Sequence, residues 1–159
     1  MQKNSTLFNI VTIIVCMTAM IVASCTTNTV YDSYSHTPLS GWEKNDTLTF
    51  NVRPFAESGT FNETVGIRMT TAFPFTSISL IVEQHIMPHE KVLTDTIKCP
   101  ITDTRGNFLG SGISSYQYEF PLRNINLHKG DSIHVSIRHN MKREILPGVS
   151  DIGLKIEKE

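Results

Sequence analysis

The chain has 159 residues, with 14 basic and 15 acidic side chains and a formal net charge of −1 at pH 7. This balance argues against a nucleic-acid-binding protein, and no run of Lys or Arg is present that would bind anionic lipid headgroups. The length is enough for one domain with a hydrophobic core, and no linker is long enough to separate a second domain.

The N-terminal stretch has the organisation of a bacterial lipoprotein signal. Lys3 precedes an apolar run without charges, Leu7–Cys25, which ends in Val22-Ala23-Ser24-Cys25. A positive start, an apolar middle and small residues before a cleavage point are typical of secretory signals. The terminal Cys is the residue whose thiol accepts diacylglycerol before the peptide is cut. We therefore expect residues 1–24 to be removed and Cys25 to carry diacylglycerol and palmitate.

An uncleaved transmembrane helix is the alternative for this stretch. Its apolar run is short, roughly 17 residues against the ~20 usually needed to span a bilayer, so the lipoprotein interpretation is favoured. Residues 25–35 would then be the lipidated Cys and a tether, and two or more acyl chains are enough for stable anchoring. Cys99 would be the one remaining thiol of the mature chain, and its strand-like surroundings predict a buried side chain.

The remainder of the chain alternates between apolar and polar residues. Leu48, Phe50 and Val52 would face a core while Thr49 and Asn51 would face solvent, the pattern of a half-buried strand. The same pattern recurs, between turns rich in Gly and Pro, in 65–70, 77–86, 92–101, 116–122, 133–138 and 152–156. About eight short strands predict an all-β fold, a single antiparallel β-sandwich over residues 36–159 of jelly-roll or immunoglobulin-like type. Asn140–Leu146 is the one helix-like stretch.

Two local patterns suggest chemistry only weakly. Gly106, Gly110 and Gly112 lie in a loop that lacks the Lys-Ser/Thr and helix of a phosphate-binding loop. His85 and His89 are four residues apart, but Pro88 interrupts any helix and a third ligand would have to come from His134 or His139. We therefore expect no enzyme activity, no cofactor and no metal site.

Aromatic side chains offer an alternative function. Trp42, Tyr116 and Tyr118 would stack on a sugar ring if they were exposed and coplanar, which would favour a lipid-anchored carbohydrate-binding or surface-glycan protein. Tyr116 and Tyr118 share a face with Phe120 and Leu122, so a core position is favoured. A hydrolase would need two carboxylates or a His–Ser pair in one pocket, and Glu63, Asp103 and Glu119 have no supporting pattern.

Several short motifs follow one another in the mature chain. They are Cys25 with Tyr31 soon after, Trp42 with Asp46 and Leu48-Thr49-Phe50, Val65-Gly66-Ile67-Arg68 leading to Phe73-Pro74-Phe75, Asp103-x-x-Gly106-Asn107-Phe108-x-Gly110-x-Gly112, and Met141 to Leu154. With these motifs the chain resembles the gliding-motility lipoprotein family GldH. Phe108 departs from the family pattern, in which Trp is usual, but keeps an aromatic side chain in the loop.

The resemblance implies a lipid-anchored cell-envelope protein associated with gliding motility or a related envelope assembly. It implies no catalytic residue and no cofactor, and it makes other envelope or motility lipoproteins the expected partners. The residues after Cys25, Thr26 to Val30, include no acidic side chain. We therefore expect a domain on the outer membrane that faces the periplasm.

Two loops are candidates for a partner-binding surface. The Gly-rich loop with Gly106, Gly110 and Gly112 and the basic turn with Arg143, followed by Asp151, would form one surface that docks on another envelope protein. The alternative is that both are structural corners of the sandwich.

Three tripeptides have the form Asp-Ser/Thr-aliphatic. They contain Thr47, Thr96 and Ser132, and they are similar to the O-glycosylation acceptor of envelope proteins in some gliding and gut bacteria. The alternative is a turn Asp that enters a strand.

Overall fold

The computed structural model describes residues 28–159, which form eleven strands and no helix. The strands are β1 (Thr29–His36), β2 (Trp42–Glu43), β3 (Leu48–Val52), β4 (Gly59–Thr70), β5 (Ser77–Met87), β6 (Lys91–Pro100), β7 (Ser111–Gly112), β8 (Ser115–Leu127), β9 (Ser132–His139), β10 (Ile145–Leu146) and β11 (Val149–Lys158). Eight of them have five or more residues, and seven of these eight overlap the strands located in the sequence; the eighth is β1.

The strands form two main sheets with antiparallel pairing throughout. One sheet has the order β1-β11-β4-β8-β7, the other has the order β3-β9-β5-β6, and β10 pairs separately with β2. Alternate side chains of both sheets are buried in one hydrophobic core, as in β3, where Leu48, Phe50 and Val52 are buried. The predicted antiparallel β-sandwich is therefore confirmed.

Two polar contacts connect the sheets, one of them buried and the other partly exposed. Glu63 of β4 is 1% exposed, and one of its carboxyl oxygens accepts a hydrogen bond of 2.7 Å from the amide of Gln84 on β5. Nearby, Arg123 of β8 pairs with Asp95 of β6 at 2.5 Å. Both contacts join one sheet to the other. Burial raises the pKa of Glu63 to about 7, with smaller opposing effects from Gln84 and Arg123.

The sandwich has two ends, which matter for the sites below. At the near end, Thr29 pairs with Glu157 and Gly59 with Leu127, and the connections 53–58, 88–90 and 128–131 meet there. The far end contains the connections 37–47, 71–76, 101–114 and 140–148. With 12 residues in β4 at about 3.3 Å per residue, the two ends are about 40 Å apart.

The first strand lies where a tether was expected. Residues 25–35 were predicted as tether, but Thr29–His36 forms β1 at an edge of the five-stranded sheet. Tyr31 and Ser33 are partly buried and alternate with exposed Val30 and Asp32. The sheet therefore begins before residue 36, because main-chain pairing with β11 orders this polar segment.

The predicted helix over Asn140–Leu146 is wrong. Ile145 and Leu146 pair with Glu43 and Trp42, and the Lys44 N–H donates to the carbonyl of Glu144 at 2.8 Å. A two-turn helix has little intrinsic stability, because its nucleation is unfavourable. Pairing with the distant segment around Trp42 therefore prevails over the local preference.

Candidate functional site

The Gly-rich loop is a compact structure at the far end. The carboxylate of Asp103 accepts backbone N–H groups of Arg105 at 2.8 Å and Asn107 at 2.9 Å, and also the Asn107 side-chain amide at 2.9 Å. These hydrogen bonds, that of the Asn107 side chain first, hold the pKa of Asp103 below its usual value. Phe108 stacks on Tyr116 with 4.3 Å between ring centroids. The loop is thus held in one conformation by the hydrogen bonds of Asp103 and by the stacking of Phe108 on Tyr116.

Its glycines have different roles. Gly106 is exposed with φ +86°, and a Cβ there would meet no atom within 4 Å. A Cβ on Gly110 would lie 2.7 Å from the Tyr118 ring, so this residue is glycine because the aromatic ring covers it. Gly112 has φ +145°, and a Cβ there would collide with the carbonyl of Ser115. The fold itself therefore requires glycine at positions 110 and 112, whether or not this loop binds a partner.

The basic turn also lies at the far end, but Asp151 does not belong to an open surface. Arg143 is exposed on the β9–β10 connection. Asp151 is 7% exposed, and its carboxylate pairs with His36 on the neighbouring strand β1. The structure thus places Arg143 and the Gly-rich loop at the same end of the sandwich, while it assigns Asp151 to a contact between strands.

A surface cleft lies beside the basic turn. Its volume is about 580 Å³, and its walls include Pro38, Leu39, Ala72, Pro147 and Gly148. Sequence reasoning missed this cleft, because three separate connections meet to form it. The only sequence feature that pointed to it was the Pro147-Gly148 pair, which indicates a turn at this position.

The three aromatic residues do not form a sugar-binding platform. Trp42 is fully buried, and its indole N–H donates to the carbonyl of Asp46 at 3.0 Å. Tyr118 is 5% exposed, and its hydroxyl donates to the carbonyl of Ile101 at 3.1 Å. Tyr116 is partly buried under Phe108. The core interpretation therefore describes Trp42 and Tyr118, and the carbohydrate alternative loses the feature that favoured it.

The three carboxylates considered for hydrolysis lie in different places. Glu63 is in the interior, Asp103 organises the Gly-rich loop, and Glu119 pairs with Lys155 on the outer face of the five-stranded sheet at 3.3 Å. These three carboxylates therefore do not share a pocket, which the hydrolase interpretation requires.

Three side chains of types that can bind a metal ion meet at the near end. His89 Nε2 lies 3.5 Å from Asp131 Oδ1, and His128 Nδ1 lies 3.6 Å from Asp131 Oδ2. Within residues 28–159 they are the one group of three such side chains whose ligand atoms lie within 4.8 Å of one another. The sequence-based expectation of no metal site rested on His85 and His89 with His134 or His139; of these, only His89 belongs to this group. His85 is instead beside Glu83, at 2.8 Å, and opposite His134.

Sequence reasoning missed His128 and Asp131 as neighbours of His89. His89 lies in the β5–β6 turn, whereas His128 and Asp131 belong to the β8–β9 turn. Only the meeting of these two turns brings the three together, and no spacing in the chain indicates it.

The candidate glycosylation positions differ in accessibility. Thr47 and Thr96 are exposed, before β3 and within the edge strand β6. Ser132 is partly buried, and Asp131 before it accepts the backbone N–H of His128 at 2.8 Å, as a turn Asp does. Modification of these residues stays a prediction.

Cys25 lies outside the described residues, so its lipidation also stays a prediction. In the part of the chain that the structure describes, there is no helix long and apolar enough to span a bilayer. Cys99 is buried, as its surroundings predicted, and burial raises the pKa of its thiol to about 12.

Comparison with known proteins gives a consistent family. The family model described as GldH lipoprotein matches residues 29–156. A gliding motility lipoprotein GldH homolog from Christiangramia forsetii is 25% identical over 150 residues, covering 89% of this chain and 91% of the relative. Gliding motility lipoprotein GldH from Flavobacterium johnsoniae is 24% identical over 153 residues, covering 92% and 95%.

Solved structures resemble the chain only distantly. A carbohydrate-binding module specific for non-crystalline cellulose is similar over 80% of this chain and 70% of its own, with a TM-score of 0.42 and 6% identity. A likeness at this level carries no functional argument.

Proposed function

Because this chain belongs to the GldH lipoprotein family of gliding-motility envelope lipoproteins, we propose that it is a non-catalytic component of a gliding-motility or related envelope assembly. It is held in the membrane through Cys25 and binds other envelope proteins through the far end of its sandwich. The observation that carries this proposal is that the two most exposed large apolar side chains of residues 28–159, Leu39 and Ile113, both lie at that end.

Four large apolar side chains protrude there. Leu39 and Ile113 are essentially fully exposed, Leu109 is 57% exposed and Ile145 is 44% exposed. The cleft opens beside Leu39, and Arg143 adds a positive charge. Exposed apolar surface is a feature that marks many protein-binding sites. We call Leu39, Leu109, Ile113, Arg143 and Ile145 the far-end surface.

The position of the anchor also favours the far end as the partner-binding end. Cys25 precedes Thr29 by four residues, which span at most about 14 Å when extended. Thr29 lies at the near end, so a lipidated Cys25 would hold the near end against the membrane. The far-end surface would then project about 40 Å from the bilayer, where another envelope protein can reach it.

The docking test compares two matched triple variants. The far-end triple is Leu39→Asp, Ile113→Asp and Arg143→Glu, and the control triple is Val30→Asp, Val92→Asp and Arg53→Glu, all at exposed positions. Gly112→Asp is unsuitable, because its side chain would collide with the backbone of Ser115. We expect both triples to keep the wild-type melting temperature, and only the far-end triple to lose crosslinked envelope partners from native membranes. Equal recovery of partners by both would contradict the docking proposal.

The anchor and its orientation have separate tests. We expect intact-mass spectrometry to find a chain that begins at Cys25 and carries diacylglycerol and palmitate, and we expect Cys25→Ser to abolish both. The same mass reports any O-glycan on Thr47, Thr96 or Ser132.

The orientation of the domain has its own test. We expect a periplasm-facing domain, because Thr26 to Val30 include no acidic residue. Such a domain is protected from protease in whole cells and digested after outer-membrane permeabilisation. Digestion in intact cells would indicate the opposite orientation.

A further inference from the structure

We propose that His89, His128 and Asp131 form a binding site for a divalent transition-metal ion, of which Zn²⁺ fits the ligands best. The site lies at the near end, away from the far-end surface. It joins the β5–β6 turn of the four-stranded sheet to the β8–β9 turn, which follows a strand of the five-stranded sheet.

Asp131 is a carboxylate fixed in position before any ion binds. Its side chain is 5% exposed, and Oδ2 accepts the backbone N–H of His128 at 2.8 Å. Its own backbone N–H donates to the carbonyl of His128 at 3.0 Å, and its carbonyl accepts the N–H of Phe55 at 2.8 Å. A hydrogen bond of this kind to a ligating carboxylate orients it, as outer contacts do in metal sites.

The distances suit ligands that share an ion. Two ligands about 2.1 Å from a tetrahedral metal are separated by about 3.4 Å. His89 Nε2 lies 3.5 Å from Oδ1 of Asp131 and His128 Nδ1 lies 3.6 Å from Oδ2, and one ligand atom from each of the three residues lies within 4.8 Å of the others. Both are longer than an N–H···O hydrogen bond, commonly about 2.9 Å. Each imidazole therefore approaches the carboxylate at ligand spacing, without the direct hydrogen bond that would occupy its nitrogen.

The imidazoles can complete the geometry by rotation. The His89 side chain is 63% exposed and that of His128 is 76% exposed, so neither is held by the core. Their ring centroids are 6.1 Å apart. Lys91 lines the same hollow and is the one Lys or Arg among the residues that line it. Its side chain is exposed, so the ammonium group can turn toward solvent when an ion binds.

The ligand set favours a particular class of ion. Two imidazoles and one carboxylate are a set that Zn²⁺ accepts, with a fourth position left to water. Ca²⁺ and Mg²⁺ prefer oxygen ligands throughout and are disfavoured here. A bound ion would clamp the two turns together, and because the unfolded chain lacks this arrangement, binding would stabilise the folded state.

The test is a calorimetric titration of the mature, lipidated chain in detergent with zinc chloride, using a purification tag without histidine. We expect one ion per chain. We expect His89→Ala and His128→Ala each to raise the dissociation constant by roughly 10-fold or more, since even outer-shell partners contribute that much. The matched controls are His85→Ala and His134→Ala, which remove the other imidazole pair, whose centroids are 6.5 Å apart.

Several outcomes decide the proposal. Asp131→Asn can disturb the β8–β9 turn, so the histidine variants are decisive. Support would come from zinc raising the melting temperature of the wild type and of both controls but of neither His89→Ala nor His128→Ala, and from a tetrahedral visible spectrum with Co²⁺. Zinc affinity unchanged in His89→Ala and His128→Ala, loss that follows His85 or His134 instead, or no binding below millimolar zinc would each overturn the site.

Discussion

The ring of Tyr34 on β1 covers the backbone of Gly153, its directly paired neighbour on β11. A Cβ on Gly153 would lie 2.6 Å from a carbon of that ring. Gly66 of β4 is paired with Gly153 and lies under the same ring, and the Arg68 guanidinium stands 3.8 Å from the ring centroid. The motifs that contain Gly66, Arg68 and Gly153 thus meet at one tyrosine, whose ring leaves no space for a side chain at either glycine.

Gly153→Ala is expected to destabilise the protein by about 1–3 kcal/mol, because the new methyl group must displace the Tyr34 ring. The check is urea denaturation of a double-mutant cycle with Tyr34→Ala. In the Tyr34→Ala background the glycine substitution should cost much less, since the ring is gone. Additive effects of the two substitutions would show that the ring does not set this requirement for glycine.

Stability is expected to decrease as the pH rises, through the buried carboxyl of Glu63. Its pKa is raised from 4.5 to about 7 in the folded state, so the folded chain binds more protons than the unfolded chain between these values. The stabilisation is complete below about pH 4.5 and is lost as the pH rises through 7; the shift corresponds to roughly 3 kcal/mol.

The measurement for Glu63 is the free energy of unfolding at pH 5 and pH 8. We expect Glu63→Gln to reduce the difference between the two pH values, since an amide does not titrate. Glu43→Gln, at an exposed position, is the control and should leave the difference as in the wild type. The same pH dependence in Glu63→Gln and in the wild type would rule out Glu63 as its source.

The thiol of Cys99 is expected to be inert in the folded protein. It is fully buried, and burial raises its pKa to about 12, so little thiolate forms at pH 8. In mature protein with a lipidated Cys25, a thiol reagent should react only after denaturant is added. Ser114→Cys, at an exposed loop position, provides a control thiol that should react at once. Rapid reaction of Cys99 without denaturant would contradict the burial.

Gly148→Ala is expected to cost more stability than Gly106→Ala. Both glycines have left-handed φ, +81° and +86°, which costs an L-residue about 1–2 kcal/mol. A Cβ on Gly106 would meet nothing within 4 Å, whereas one on Gly148 would lie 2.8 Å from the carbonyl carbon of Ala72. Overpacking should add about 1–3 kcal/mol at Gly148. Thermal unfolding of both variants measures the difference. Equal losses of stability would mean that the backbone around Ala72 moves aside for the new methyl group at no cost.

Much of this architecture follows from local pattern. Alternation at Leu48, Phe50 and Val52, repeated along the chain, predicted antiparallel strands with one buried face, because side chains on a strand alternate between its two faces. The burial of Cys99 followed from the same argument. Local pattern failed at Thr29–His36 and at Asn140–Leu146, where pairing with a distant strand determines the structure.

What only the tertiary structure decided is which turns share an end of the sandwich. It brought His89 to His128 and Asp131, and it paired the buried carboxylate of Asp151 with the exposed imidazole of His36. His89 is far in the chain from His128 and Asp131, and His36 is far from Asp151. The sequence of one turn does not indicate which other turn packs beside it. The sequence by itself determined seven of the eight longer strands and their buried faces, because alternation is local. The sites arose from strand order, which depends on how the two sheets pair and pack.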